Sequence, residues 1–422
     1  MNPMPEEFIS SHGKSSKPRN IKYNNQKLVL SLFRYADKLS VSEISEHVEL
    51  SKTTITKIIG DLLRKNLIVS AGKGDSTEEG GKKPELFTFN PTYQYIAMVN
   101  LPSTQVRVHI MDLKSHLVFQ YSRLVYIPDS DYPACIQCAA QAVVSAIQEF
   151  GISGDKLCGI VLYGDGIVDS THGVIRYSMH HPWPRNLSVR KEFSDLLPFS
   201  VPVYIENVGA LTGYADLLDP ENQSIHSMIH LSVGEHSSGC VIKDHELQKG
   251  CHGFMSEFGH VIVDPHSPLP CICGAKGCFE VMVSPSAVLH YTGELSMEYP
   301  DSSIAAAAKE DQLTMEELFA AANEGEPCAC RSMDQVIRWF TVLIRSMIIF
   351  HDPQKIIIQG IYQNAGSYFL ENLRSAVVST PLFRTGADLL IDYAPYQFNE
   401  ALITGASYYV CCKFLDNNQL YD

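Results

Sequence analysis

Residues 271–280 read CICGAKGCFE, which places three cysteines, two glycines and an acid in ten positions. Upstream, the segment KGCHGFMSEFGH (249–260) ends on His260. One imidazole and three thiolates make a four-coordinate, closed set of the kind that holds structural Zn2+. Thiolates are soft ligands, zinc needs no redox chemistry, and no open position is left for a catalytic water. Gly274 and Gly277 let the chain fold around an ion, and Lys276 offsets negative charge. The expected ligands are therefore His260, Cys271, Cys273 and Cys278, with His266 in the same loop as an alternative. A set of buried, metal-free thiols is the competing explanation. Two other cysteine pairs are expected to be core residues: Cys135 and Cys138 fall on an apolar helical face, and Cys328 and Cys330 lack a nearby histidine.

The whole chain supports ligation over disulfides. Its start, MNPMPEEFISSHGKSSKPRN, is polar, and no apolar run approaches about 20 residues, so neither a signal peptide nor a membrane span is expected. A cytoplasmic protein with 12 cysteines uses them as thiols or metal ligands. At 422 residues there is chain for two or three domains. The formal net charge of −14 is unevenly spread. Residues 1–93 hold 14 Lys and Arg against 11 Asp and Glu, while the rest holds 19 against 36. A small, slightly basic module that tolerates a polyanion is thus attached to an acidic body that does not.

Residues 1–20 are Ser-, Lys-, Pro- and Asn-rich and read as a disordered tail. A helical pattern covers Asn25 to Ala36. SVSEISEHV then offers Ser40 as an N-cap with Glu43 three residues on, a capping box. Ser51 caps a further helix, KTTITKIIGDLLRKNL, whose Ile55, Ile58, Ile59, Leu62 and Leu63 share one face. Short helix, tight turn and longer helix is the helix-turn-helix arrangement, in which the start of the second helix enters the major groove. Ser51, Lys52, Thr53, Thr54, Thr56 and Lys57 crowd that start. LIVSAG and PELFTFN alternate as two strands joined by a polar hairpin. That makes a wing whose Gly81, Lys82 and Lys83 could follow a phosphate backbone. Residues 21–92 are therefore expected to form a winged helix-turn-helix domain for double-stranded DNA. Against it stand Glu46 and Glu49, and the alternative of a structural three-helix module.

From residue 93 the texture changes to strands and buried helices. YIAMVNL, VRVHIMDL and HLVFQYSRLVYI read as consecutive strands, followed by a helix and the buried strand LCGIVLYG. A second round follows, with SMIHLSVG, GCVIKDHELQ, a long apolar helix and KIIIQG. Two such α/β halves around a cleft form the actin-like, sugar-kinase architecture. GIVLYGDGIVDSTHGVI, HPW, VPVYIENVGAL, KGCHGFMSEFGH, CICGAKGCFE and ITGASYY come in the order found in the ROK family (repressors, open reading frames, kinases), which residues 94–422 resemble. With the winged helix in front, the chain is similar to the repressor branch. The resemblance implies a domain over 93–422 with two lobes around a cleft and a C-terminal helix packing back on the first lobe.

The resemblance also separates catalysis from binding. Family kinases carry an aspartate base directly after an asparagine; here Asn207 is followed by Val208, and valine cannot accept a proton. The first phosphate turn appears as NLPST, with Asn100 and Pro102, and the second as GEHSS, with Glu235 where a phosphate would be repelled. The adenosine-side glycines are reduced to QGI. The sugar-facing residues of the family are present as Gly166, Asn207, Glu257, His260 and Glu280. These residues imply a non-enzymatic, sugar-responsive repressor of carbohydrate genes, acting as a homodimer or homotetramer on an operator, with no membrane association. The alternatives are an active hexose kinase with a DNA-binding appendage and a regulator controlled by a protein partner.

Overall fold

Ser40 and Ser51 set the frame of the amino-terminal head. The computed structural model describes residues 18–74, 83–102, 104–164, 166–255, 257–384 and 388–421. Helix α1 spans Pro18–Tyr35, α2 Val41–His47 and α3 Lys52–Arg64. The Ser40 hydroxyl accepts from the Glu43 amide and the Glu43 carboxylate accepts from the Ser40 amide, so the capping box closes as its spacing predicts. Ser51 caps α3 by accepting from the Thr54 amide. Asn66, at φ 59°, ends it. Strands β1 (Ile68–Lys73) and β2 (Glu85–Phe89) pair antiparallel, and Leu39 bridges to Phe87 in both directions at 2.9 Å. Ile44, Ile55, Ile59, Leu62, Phe33 and Phe89 fill the core between them.

Two expectations shift here. The first helix begins seven residues before Asn25, because Pro18 is compatible with a first turn, so 18–20 are helical rather than part of a tail. Residues 1–17 of that expected tail, and Gly81 and Lys82 of the wing, lie outside the described residues.

Two lobes of like topology follow. In the first, β3 (Tyr95–Asn100), β4 (Gln105–Asp112) and β5 (Leu117–Leu124) run antiparallel. Helix α4 (Tyr132–Phe150) leads to β6 (Leu157–Gly164), the short hairpin β7 (Ile167–Asp169) and β8 (Val174–Tyr177), α5 (Val189–Leu196), β9 (Val203–Asn207) and α6 (Val208–Asp216). The sheet order is β5-β4-β3-β6-β9, its last three strands parallel. β6 is buried from Leu157 to Leu162, as a parallel strand covered on both faces must be. In the second lobe β10 (Ser227–Val233), β11 (Ser237–Lys243) and β12 (Glu246–Leu247) precede four short helices: α7 (Phe279–Val283), α8 (Pro285–Glu294), α9 (Ser303–Lys309) and α10 (Met315–Asn323). Then come the long α11 (Pro327–His351), β13 (Lys355–Gly360), α12 (Gly366–Val377), α13 (Pro381–Arg384), β14 (Leu390–Tyr393) and α14 (Phe398–Leu415). Its order, β12-β11-β10-β13-β14, repeats that of the first lobe.

Helix α14 returns to the first lobe and lies along α6, β3 and β6. The approach to α6 is so close that a Cβ on Gly405 would sit 1.7 Å from the Leu211 carbonyl oxygen. One hydrophobic cluster therefore runs from the head (Phe33, Leu62) through β3 and β6 to Leu211, Leu402 and Val410. The last residues seal this junction. The Tyr23 hydroxyl donates to the Asp416 carbonyl at 2.8 Å, Lys65 to the Leu420 carbonyl at 3.1 Å, and the rings of Tyr23 and Tyr421 meet edge-on at 5.0 Å. Among the described residues no helix is long and apolar enough to cross a membrane.

Candidate functional site

The cysteine segment folds into a small knot beside the cleft. The Cys271 amide donates to the Ala275 carbonyl at 2.9 Å and the Gly274 amide to the Cys271 carbonyl at 2.9 Å, which turns the chain back within four residues. Gly277, at φ 68°, brings its backbone against Asp264; a Cβ there would lie 1.8 Å from the Asp264 carbonyl oxygen. Its own carbonyl accepts from the Val263 amide at 2.9 Å, tying the knot to the segment after His260. As a result the ligand atoms of His260, Cys271, Cys273 and Cys278 all lie within 4.8 Å of one another. Nδ1 of His260 is 3.4 Å from the Cys271 sulfur, and the sulfurs of Cys273 and Cys278 are 3.6 Å apart. Cys271 and Cys278 are buried and Cys273 is exposed. Burial, and then the neighbouring thiols, push the Cys278 thiol well above its usual range. The set is compatible with zinc in number, softness and spacing. His266 is exposed and outside this group, its amide donating instead to the Asp264 carboxylate at 3.0 Å.

Of the paired cysteines elsewhere, expected to be core, one of each pair is buried while Cys138 and Cys330 are half-buried. Cys135 is buried on α4, where burial pushes its thiol up to about 12, and Cys328 is buried on α11.

The same turn that carries His260 carries the cleft. Glu257 opens the 3-10 turn Phe258–His260, so its carboxylate lies 4.0 Å from Nε2 of His260. Burial, and next the Glu280 carboxylate, push Glu257 up to about 7. Glu280 is buried in the first turn of α7 and accepts from the Ser237 amide at 2.8 Å. Asn207 caps α6, accepting from the Gly209 amide at 2.8 Å, while its amide group donates to the Gly166 carbonyl at 3.2 Å. Gly166 holds φ 108°, and a Cβ would meet the Tyr177 carbonyl at 2.5 Å. Asn207 and Glu257 both line a cleft that encloses about 680 Å³ of space, part of it open to solvent.

Three cleft residues carry charge that sequence reasoning missed. Glu206, buried at the end of β9, binds the Lys249 ammonium, which also donates to the Ser170 hydroxyl and lies 5.6 Å from the Tyr409 ring centre. Asp169 pairs with Arg176 at 2.5 Å. Despite its burial, the His172 amide and the Arg176 guanidinium hold Asp169 down to about 2. Glu206 was visible only as a charge ending an apolar strand. Lys249 carried no signal, since its partner lies 43 residues away.

Positions that serve phosphate transfer in family kinases are otherwise engaged. Val208 begins α6 packed among apolar side chains. Asn100 bridges the β3–β4 turn, donating to the Gln105 carbonyl at 2.9 Å and accepting from the Arg107 amide at 2.7 Å. The Glu235 carboxylate accepts from the Ser286 amide at 3.2 Å and the Ser286 hydroxyl at 2.7 Å, at the start of α8.

On the head, Ser51, Lys52, Thr53, Thr54, Thr56 and Lys57 are all exposed, and so is Lys83. Lys52 reaches Ser42 on α2 at 3.4 Å, and Thr56 bonds back to the Lys52 carbonyl at 2.8 Å.

Known proteins of the same shape fall into two groups. The chain is 23% identical over 357 residues to a xylose repressor of Caldicellulosiruptor bescii, covering 85% of this chain and 88% of that one. It is 23% identical over 391 residues to the DNA-binding transcriptional repressor Mlc of Escherichia coli, covering 92% and 93%. Among solved structures, a ROK family transcriptional regulator homologous to the Escherichia coli Mlc protein superposes with a TM-score of 0.74 at 21% identity, over 94% of this chain and all of that one. A ROK family glucokinase from Streptomyces griseus, in complex with glucose and AMPPNP, superposes with a TM-score of 0.57 at 20% identity, over 74% of this chain and 98% of that one. Residues 97–410 match the sequence profile of the ROK family, and the chain belongs to that family.

Proposed function

We propose that this protein is a winged-helix transcriptional regulator of carbohydrate genes, a repressor whose operator affinity is set by a sugar in the cleft. The observation that carries it is the combination at one site: Asn207 and Glu257 line the cleft, His260 stands 4.0 Å from Glu257, Glu280 holds the amide of the lining Ser237, and the residue after Asn207 is Val208. Carboxylates and an amide offer the bidentate acceptors and donors that ring hydroxyls need, and a site without a base binds sugar without turning it over. The repressor names of the relatives support the same assignment.

Each part has its residues. The exposed polar start of α3 enters the major groove, with Lys83 and the wing beside it on the backbone. His260, Cys271, Cys273 and Cys278 would hold one zinc ion, whose chemistry there is structural: it fixes the knot and the face of His260 turned to Glu257. The sugar closes the two lobes on each other and, through α6 and α14, shifts the head. A homodimer or homotetramer presents two heads to a roughly palindromic site, half-sites one or two helical turns apart.

The test is operator binding in a titration of candidate sugars. A sugar that releases wild-type protein from DNA should leave the Glu257→Ala protein bound; release of both overturns the effector site. In parallel, the purified protein with Mg2+ and ATP should transfer no phosphate to any sugar. Restoring one carboxylate by Val208→Asp should not rescue transfer, because Asn100 and Glu235 still deny a nucleotide its phosphate turns. Sugar-dependent ADP release by wild type, absent from Glu257→Ala, would establish a kinase instead.

A further inference from the structure

The charges around the cleft are matched in an uneven way. Lys249 is the one lysine or arginine among the described residues that line it, and its ammonium is committed to Glu206 and Ser170. The nearby guanidinium of Arg176 is committed to Asp169. Among the described residues, Glu257 and Glu280 have only imidazoles as basic neighbours within 4.0 Å, His260 at 4.0 Å and His236 at 3.8 Å. Among the described residues the cleft thus offers the Glu257 carboxyl, with Glu280 behind the Ser237 amide, and no lysine or arginine that is not already held by a carboxylate.

We propose that this cleft selects an uncharged, polyhydroxylated ring and excludes phosphorylated and carboxylated sugars, and that Glu206 is a specificity-determining residue because it neutralises Lys249. The inference rests on the reading of the cleft as an effector site. Hydroxyls donate to Glu257 and Glu280; a phosphate ester brings only further acceptors and up to two negative charges. It would have to displace Glu206, itself buried, from Lys249. It follows that the signal is the sugar before any phosphorylating step, and that a kinase acting on that sugar switches the signal off.

The experiment is calorimetric titration of the full-length protein. The ligands are glucose, mannose and N-acetylglucosamine, each beside its 6-phosphate, xylose beside xylose 1-phosphate, and 6-O-methylglucose as a control for bulk. A parent sugar should bind, and its phosphate should bind at least about a hundredfold more weakly. Where glucose is the parent that binds, the methyl ether should stay nearer to it than the phosphate does. In Glu206→Gln, Lys249 is left without its carboxylate and the gap between parent and ester should narrow at least about tenfold. The wild-type gap should also narrow with added KCl, which screens charge but not bulk, a readout that does not depend on the variant folding. An ester that binds as tightly as its parent, or a gap unmoved by salt, overturns the charge selection and leaves the effector site standing. Failure of every sugar and every ester to bind overturns the effector site, and the selection with it.

Discussion

His260 faces two ways. Its Nδ1 is turned to the Cys271 sulfur at 3.4 Å and its Nε2 to Glu257 at 4.0 Å, so one imidazole belongs to the thiol knot and to the cleft wall. Disturbing the knot should therefore reach the cleft. Cys273→Ser, at the one exposed ligand, should lower zinc from about one per chain to near none, reduce the melting temperature, and weaken sugar binding although Cys273 does not line the cleft. Elemental analysis and calorimetry on one preparation check this; unchanged metal content and stability would remove zinc from the account. The knot was legible in the sequence because three of its four ligands sit in one ten-residue stretch whose glycines dictate the turn. Glu206 and Lys249 were not, because an ion pair between distant segments is fixed by how β9 and the loop after β12 come together, which no local pattern encodes.

Among the elements, α3 shows how far local pattern reaches. Its cap at Ser51 and its apolar face of Ile55, Ile58, Ile59, Leu62 and Leu63 were readable from spacing, and the structure buries the first four and leaves Leu63 half-buried at the edge. The same spacing leaves Lys52, Thr53, Thr56 and Lys57 on the open side. Lys52→Ala and Lys57→Ala should each weaken operator binding, and together they should flatten the dependence of log affinity on log salt by about two counterions. Ser51→Ala should cost about 1 kcal/mol of stability by uncapping the helix. Equal operator affinity across salt for the lysine variants would mean that this face does not meet DNA. Elements that escaped the sequence are the short ones: the β7–β8 hairpin of three and four residues, and helices α7 to α10 of five to ten. Neither length shows a period. These pieces take their conformation from the sheet and from α11, against which Phe279, Leu318 and Phe319 pack in the lobe core.

The molecule as a whole has its two sheets built to one plan, and the chain end joins the cleft to the head. Asn207 caps α6, α6 lies against α14 with Gly405 touching the Leu211 carbonyl, and the residues after α14 grip α1 and the end of α3. On the proposed reading, a sugar that draws Asn207 would move the start of α6, and close-packed helices pass such a shift on rather than absorb it. The grip itself is local: Tyr421 is 5% exposed, its ring meets Tyr23 and its hydroxyl donates to the Leu415 carbonyl at 3.0 Å. Tyr421→Ala should cost about 3 kcal/mol at the head junction. It should weaken operator binding while leaving sugar affinity in the absence of DNA near wild type, because Tyr421 does not line the cleft. Operator and sugar must reduce each other's affinity by one common factor, so the variant should shrink that factor measured in either direction. Operator titrations with and without sugar, and sugar titrations with and without operator, give both values. A variant whose coupling factor equals that of wild type would show that the signal travels by another route, such as the linker between β2 and β3, and that the chain end only stabilises the head.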